Sequence, residues 1–412
     1  MRIVHAADLH LDSPLRGLPP YEGAPISAVR EATRRACENL VAFCIESEAA
    51  LLLIAGDLYD GDWRDFSTGL FFTKQMSRLR EAGVRVVVVR GNHDAASQIT
   101  RSLRPIENVE ELSWKKPETV VFDDLGVAVH GRSFAERAVT EDLSRDYPRP
   151  LDGALNIGLL HTCADGRPGH EPYAPCSVAA LASRGYDYWA LGHVHQREVL
   201  SREPWIVFPG NLQGRHVREA GAKGATAIDV AGGVIESVEH VALDVVRWAE
   251  CAVDVEASAR VPDVLDAARA AMAAEIERAD GRVLAARVVV RGPGAAIARV
   301  AAARESVTNE LRAIANDLRD VYFEKLRLAT TFVESAAGGE WVDTLATLDA
   351  ATDAELLAMA EGALADLRAK LPSEITTGEG ALALDDPSQL RALLREAQQA
   401  IMAKARAASE EG

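Results

Sequence analysis

The chain has 412 residues, 48% apolar and 26% charged, a composition that excludes fibrous, low-complexity and membrane-embedded classes and predicts two or three globular domains. Forty-five basic residues against sixty-two acidic ones give a net charge of −17, spread over both halves, so the chain does not grip nucleic acid by overall charge alone. Local basic groups, bound cations or a partner would have to supply any grip on an anion. No apolar run is long enough to span a bilayer. Met1-Arg2-Ile3-Val4 leads straight into a strand with no cleavable apolar region, so a cytoplasmic protein without a membrane anchor is expected. Cys37, Cys44, Cys163, Cys176 and Cys251 lack C-x-x-C spacing and read as buried thiols.

In chain order, apolar runs at 2–5, 50–55, 84–89, 127–131, 156–161 and 186–191 predict strands, each ending near Gly, His or Asp. Helical spacing intervenes: Val29, Ala36, Leu40 and Cys44 share a face, and 66–80 forms another such segment. This alternation predicts a layered α/β domain with its site at the carboxyl ends of strands. From 197 onward, runs at 197–201, 205–208, 225–230 and 232–245 read as a second, mostly antiparallel sheet with a Gly232-Gly233 turn. Residues 251–330 read β-α-β-α-β, with helices at 262–279 and 295–318 and Pro262 at the first helical position. Thr352-x-x-Glu355 is a capping box opening a helix that stops before Pro372. Asp386-Pro387 opens a last helix, with 373–385 as the loop between. Both terminal helices carry apolar stripes: Leu356, Ala360, Leu364, Leu367 and Leu371, then Leu390, Leu394, Ala397 and Ile401. The domains expected are 1–248, catalytic; 249–335, an α/β cap module; and 336–412, helical.

Chemistry gathers in five segments: Asp8-Leu9-His10, Gly56-Asp57-Leu58-Tyr59-Asp60, Gly91-Asn92-His93-Asp94, His161, and Gly192-His193-Val194-His195. Each follows an apolar strand and places oxygen or nitrogen donors just past its end. Imidazole with carboxylate suits Mn, Fe or Zn rather than calcium. Asp-x-His sets two side chains on one side of an extended segment, where they can clasp one ion. The same spacing in His193-x-His195 could instead fan the rings toward different ions. Each piece alone would read as an ordinary loop or cap; their order and shared context carry the metal interpretation.

This ordered set resembles the calcineurin-like metallophosphoesterases over residues 1 to about 245. The fold implied is α/β, a layered metallophosphoesterase fold of mixed β-sheets flanked by helices, here with a cap module and C-terminal helices. The resemblance implies that Asp8, His10, Asp57 and His195 hold a first ion, and that Asp57 bridges to a second completed by Asn92, His161 and His193. His93 would sit over the ions without binding them, oriented by Asp60, a position that some nucleases of the group fill with histidine. The reaction implied is attack of metal-activated water on a phosphoester, with His93 as acid and charge stabiliser. Mn²⁺ is the expected metal, with Fe, Zn or Mg also compatible.

The stretches 5–15, 56–64 and 209–216 are similar to the DNA-repair exonuclease branch typified by SbcD and YhaO. That branch implies DNA as substrate and an SMC-like coiled-coil ATPase as partner, docked through the terminal helices, with a homodimer through helices of the catalytic domain as a further expectation. Arg215, His216 and Arg218 are candidate contacts to phosphate, weighed against simple surface residues. Trp63 and Tyr59 could stack on a base or pack in the core. His5, His130 and His240 sit in strand patterns and read as core, and His170 as surface. Two rivals stand beside the nuclease: a nucleotide or small-molecule phosphodiesterase, favoured by the acidic charge, and a non-catalytic scaffold for an ATPase, disfavoured by the intact ligand set.

Overall fold

The computed structural model describes residues 1–330 except 19, 27–28, 30, 61–66, 97–105 and 167–171, and then 351–364, 386–394 and 397. The chain divides into two compact units: Met1–Glu250 with Ala273–Arg287 and Ala315–Glu324, and Cys251–Met272 with Val288–Ile314 and Lys325–Gly412.

In the first unit, apolar runs buried on both faces become parallel strands. β1 (Arg2–Ala6), β2 (Ala49–Ala55), β3 (Arg85–Val89) and β4 (Val109–Glu111) pair in parallel. Helix α1 (Ala32–Glu46) joins β1 to β2, α2 (Ser67–Glu81) joins β2 to β3, and the short α3 (Asn92–Ala96) follows β3. A second sheet holds β5 (Glu118–Phe122), β6 (Val127–Gly131), β7 (Leu155–His161), β8 (Tyr188–Gly192), β9 (Glu198–Arg202) and β10 (Trp205–Phe208). Its order is β5-β6-β7-β8-β10-β9, with α4 (Val178–Ala182) preceding β8. The chain then returns to the first sheet as β11 (Gly224–Ala231) and β12 (Val234–Ala242), giving the order β12-β11-β1-β2-β3-β4.

The antiparallel sheet predicted from residue 197 therefore does not form as a separate body. β9 and β10 extend the second sheet, while β11 pairs antiparallel with β1 in the first. Alternation along a hairpin sets the pairing within it, but not which free edge it joins.

Strand periodicity decides the layers. In β2, Leu51, Leu53 and Ala55 face the second sheet, meeting Ile157, Leu159 and Ala190, while Leu52 and Ile54 face the helices, meeting Leu40, Phe72 and Met76. Beyond the second sheet, Trp189, Leu191 and Phe208 pack with Phe134, Tyr147 and Leu181. Burying each large apolar side chain contributes roughly 1.5–3 kcal/mol. All five cysteines are buried, as expected. Among the described residues no helix is long and apolar enough to cross a membrane.

Beyond residue 245 come β13 (Val246–Asp254), α5 (Val261–Ala279), β14 (Val283–Gly292), α6 (Gly294–Ala302), α7 (Arg304–Leu318) and β15 (Val321–Thr330). The three strands form a third sheet in the order β13-β14-β15. The single helix predicted for 295–318 is two, parted at Ala303, because alanine-rich spacing runs on through the break.

The predicted capping box is present at α8 (Asp353–Ala363): Thr352 Oγ1 accepts the Glu355 N–H at 3.4 Å, and Glu355 Oε2 accepts the Thr352 N–H at 2.8 Å. Asp386 caps the helical residues 387–394 by accepting the Ser388 N–H at 2.8 Å. The two predicted stripes face each other. Leu356, Ala360 and Leu390 are buried together, with Leu357, Leu364 and Leu394 around them, and Arg391 pairs with Asp353 at 2.7 Å. Ala397 is exposed; Leu367, Leu371, Ile401 and the loop 373–385 lie outside the described residues.

Candidate metal centre

Every candidate ligand stands at the carboxyl end of a strand, and both sheets contribute. Asp8 and His10 follow β1, Asp57 and Asp60 follow β2, Asn92 and His93 open α3 after β3, His161 ends β7, and His193 and His195 follow β8. The β1 and β2 loops stay paired past the sheet, through bonds of 3.0 Å from Asp8 N to Gly56 O, His10 N to Asp57 O and Leu11 N to Leu58 O. Asp8, His10, Asp57 and His193 all hold left-handed backbone, with φ of 51, 41, 50 and 97°. Such residues cost of order 1–3 kcal/mol each, and here the strained loops bring their side chains together. The buried Asp94 carboxylate ties two of these loops together, accepting N–H bonds from Leu58, Tyr59 and Gly91 at 3.0–3.2 Å.

Close approach demands glycine beside the donors, at Gly91 and Gly192 among others. A Cβ on Gly91 would stand 2.2 Å from Asp57 Oδ1, and one on Gly192 would stand 1.8 Å from the Ala55 carbonyl oxygen.

The donors form two principal groups, Asp8 with His10 and His195, and Asp57 with His161 and His193. In the second, His161 Nδ1 lies 2.9 Å from the Ala55 carbonyl, which can only accept, so Nδ1 carries the proton. Nε2 then points at Asn92 Oδ1 at 3.0 Å and Asp57 Oδ2 at 3.5 Å, and in a neutral ring it would be a bare lone pair among acceptors. In the first, His10 Nε2 and His195 Nε2 face each other at 3.2 Å, with Asp8 Oδ1 3.8 Å from His195 Nε2 and Asp57 Oδ2 3.9 Å from His10 Nε2. Acceptors converging at these distances need a proton or a metal cation between them. Metal–ligand bonds of about 2.0–2.2 Å place neighbouring donors about 3–3.5 Å apart, so the residues fit divalent ions.

Without a bound cation a proton fills the same place on His161: burial disfavours charge on the ring, but Asp57 and Asp8 outweigh it and lift it to about 9. Burial raises the Asp8 carboxyl to about 6, and burial together with the Arg215 charge pushes His10 down to about 3. His93, with Nδ1 3.1 Å from Asp60 Oδ1, is raised: burial opposes its charge, and the Asp60 hydrogen bond with the Asp57 and Asp60 charges prevails. Asp60 is held ionised against its burial by His10, His93 and Ser13.

Arg215 is buried, its guanidinium 3.4 Å from Glu219 and 3.9 Å from Asp60; His216 Nε2 lies 3.6 Å from Glu219, and Arg218 is exposed. Glu219, buried with Oε1 2.7 Å from His195 Nδ1, escaped the sequence reading, although it stands next to Arg218, the last of the basic residues that the reading singled out. Tyr173 was likewise unremarked, and its ring lies 5.7 Å from that of His193. Tyr59 is buried against Phe72, while Trp63 and His170 lie outside the described residues. His5 binds the Tyr188 hydroxyl and the Leu191 carbonyl, and His130 binds Thr119 and Asn156, both as core residues.

Residues 1–197 match the family model described as calcineurin-like phosphoesterase. The amino-terminal half of the chain is a calcineurin-like phosphoesterase domain. Residues 248–331, which follow in sequence, match the model described as the middle domain of metallophosphoesterase YhaO. The uncharacterized metallophosphoesterase YhaO of Bacillus subtilis (strain 168) is 38% identical over 259 residues, 62% of this chain and 63% of that protein. The DNA double-strand break repair protein Mre11 of Methanopyrus kandleri is 30% identical over 224 residues, 50% of this chain and 46% of that protein. Mre11 of Sulfurisphaera tokodaii is 26% identical over 226 residues, 50% of this chain and 56% of that protein. The phosphoesterase domain thus sits in a chain that spans roughly half to two thirds of these relatives' length.

Proposed function

We propose that the chain is a two-metal phosphodiesterase and that its substrate is the DNA backbone. The observation that carries the reading is the pair of buried donor groups in which imidazole Nε2 atoms meet a second imidazole at 3.2 Å or an amide oxygen at 3.0 Å, with the Asp8 and Asp57 carboxylates beside them. Asp8, His10, Asp57 and His195 hold one divalent ion, and Asp57, Asn92, His161 and His193 the other, with Mn²⁺ as the expected metal. When bound, two such ions supply Lewis acidity toward a phosphoryl oxygen and lower the pKa of a water.

The chain's own residues do the rest. Asp57 spans the two donor groups, lying within 3.9 Å of His10 and 3.5 Å of His161. His93 keeps a partly open face, its side chain 25% exposed, so a protonated ring can meet a leaving oxygen arriving from solvent. Asp60 holds that proton through Nδ1 and leaves Nε2–H free to donate. Burial of the ligands excludes bulk water, which strengthens each of these interactions.

DNA is favoured by the two Mre11 relatives, which are named as double-strand break repair proteins. In the same reading the chain is cytoplasmic, partners an SMC-like ATPase through its terminal helices, is able to dimerise, and is organised as 1–248, 249–335 and 336–412. Arg215 is buried, His216 half-buried and Arg218 exposed, and the three are the contacts to phosphate in this reading. The net charge of −17 favours a second reading, a nucleotide or other small phosphodiester as substrate. One assay separates them: metal-loaded protein on end-labelled single- and double-stranded DNA beside bis(p-nitrophenyl) phosphate. Cleavage of the small ester alone, with DNA untouched in the presence of ATPase partner, overturns the nuclease.

A further inference from the structure

We infer that Glu219 is a positioning residue for the metal centre: it fixes the tautomer of His195 and, through Arg215, ties that ring to Asp60. The inference rests on the two-metal reading proposed above.

Glu219 ends the 3₁₀ turn Val217–Glu219, in a loop that reaches back under the β8 ligands. Its side chain is 6% exposed. Oε1 takes His195 Nδ1 at 2.7 Å, and Oε2 takes Asn211 Nδ2 at 2.8 Å and the Arg215 N–H at 2.6 Å. Arg215 Nη2 closes on Oε1 at 3.4 Å. A buried carboxylate without partners would be expensive, and this one is surrounded by donors.

Arg215 Nη2 also lies 3.2 Å from His195 Nδ1, so the guanidinium and the carboxylate compete to define that nitrogen. The contact to Glu219 is shorter by half an ångström and joins a ring to an anion, so Nδ1 donates to Glu219 and Nε2 keeps its lone pair for an ion. Lys223 Nζ pins the carbonyl of the same residue at 2.7 Å, so backbone and ring are both held.

The arrangement has a second half. Arg215 Nη1 is 3.9 Å from Asp60 Oδ1, and that oxygen lies 3.6 Å from His10 Nδ1 and 3.1 Å from His93 Nδ1. Each imidazole of the first donor group therefore has a carboxylate behind Nδ1, and one buried guanidinium links the two carboxylates. Only an acceptor on both oxygens satisfies Glu219's neighbours. A glutamine of the same shape would turn its NH₂ against His195 Nδ1–H or against the Asn211 and Arg215 donors.

The test uses full-length protein, stripped of metal and titrated with Mn²⁺ by calorimetry and electron paramagnetic resonance. Wild type should bind two ions; Glu219→Gln should weaken one of them about 10–100-fold and leave the other unchanged. Glu219→Asp keeps the charge one methylene short, and should fold and fall between the two. In metal-free protein labelled with ¹⁵N-histidine, two-bond correlations should read His195 as the Nδ1–H tautomer in wild type and not in Glu219→Gln, with His195→Gln giving the assignment. Two ions bound equally well by wild type and both Glu219 variants, with the tautomer unchanged, overturns the inference and leaves the metal centre standing. A wild type that binds no Mn²⁺ sinks the metal centre and the inference together.

Discussion

His93 Nδ1 stands 3.1 Å from Asp60 Oδ1, and the same carboxylate oxygen lies 3.6 Å from His10 Nδ1. One side chain thus steadies both the proposed acid and a proposed ligand, which separates two variants by their readouts. His93→Ala should keep two ions and lose roughly 10²–10⁴ in turnover of a small phosphodiester. Asp60→Asn should lower turnover and also loosen one ion, because His10 loses its partner. Elemental analysis beside kcat decides it; a His93→Ala protein that comes out metal-free makes His93 a ligand and removes it as the acid.

Asp57 is the ligand both groups share, with Oδ2 near His10 and His161 and Oδ1 accepting the His93 N–H at 3.0 Å. Asp57→Ala should therefore empty or cripple both positions, whereas Asp8→Ala should affect mainly the ion held with His10 and His195. Metal content of the two purified variants is the measurement. Two full equivalents in Asp57→Ala would end its role as bridge.

The candidate ligands could be picked out because each lies at or just past the end of a strand that its own residues specify. Val86 to Val89 can only be a buried strand, and Gly91-Asn92-His93 then follows by covalent geometry. Glu219 was not legible. Its role exists because β11 doubles back beside β1 and carries the preceding loop to His195, a tertiary fact that no local spacing encodes. The same limit explains the hairpins after residue 197, whose alternation was read correctly and whose sheet was not. β4 and β5 were missed because they are short, with exposed polar positions that blur the period. The break at Ala303 was hidden because alanine fits a helix on either side of it.

His5 offers a test of stability that leaves the metal chemistry aside. The ring is fully buried, bonded to Tyr188 and Leu191, and burial pushes it down from 6.5 to about 3. A depressed histidine binds its proton in the unfolded chain first, so its contribution to stability is full above pH 6.5 and is lost as pH falls toward 3. One proton corresponds to about 1.4 kcal/mol per pH unit. Denaturant unfolding between pH 4 and 6 should show His5→Asn with a shallower acid slope than wild type by up to that amount, although its stability at pH 7 is lower. Parallel slopes would mean that His5 does not carry the acid sensitivity.

Gly192 and Gly91 should fail differently. A Cβ at Gly192 strikes the Ala55 carbonyl, backbone against backbone between the two sheets, so Gly192→Ala should cost about 3 kcal/mol of stability. At Gly91 the nearest atom is the Asp57 carboxylate oxygen itself, so Gly91→Ala should displace that ligand and lose metal. Thermal midpoints and metal content measured side by side give the pattern; equal loss of both in the two variants would refute the distinction.

The terminal helices turn an open expectation into a choice between two faces. Leu356, Ala360 and Leu390 are consumed in the contact between the helices, while Met359 is 48% and Leu393 38% exposed on the same segments. Docking of an SMC-like ATPase, as proposed, would have to use the outward residues, because the inward ones already have partners. Leu390→Ala removes a buried side chain and should destabilise the helix pair by about 2 kcal/mol, read as faster amide exchange over 351–364 and 386–394. Exchange over residues 1–250, metal content and hydrolysis of a small phosphodiester should stay at wild-type values. Met359→Asp with Leu393→Asp should leave exchange in the helices unchanged and abolish co-purification with the ATPase. If the double variant still binds the ATPase and Leu390→Ala does not, the partner recognises the inward face by prying the helices apart. If neither change affects binding, the docking site lies elsewhere in the chain.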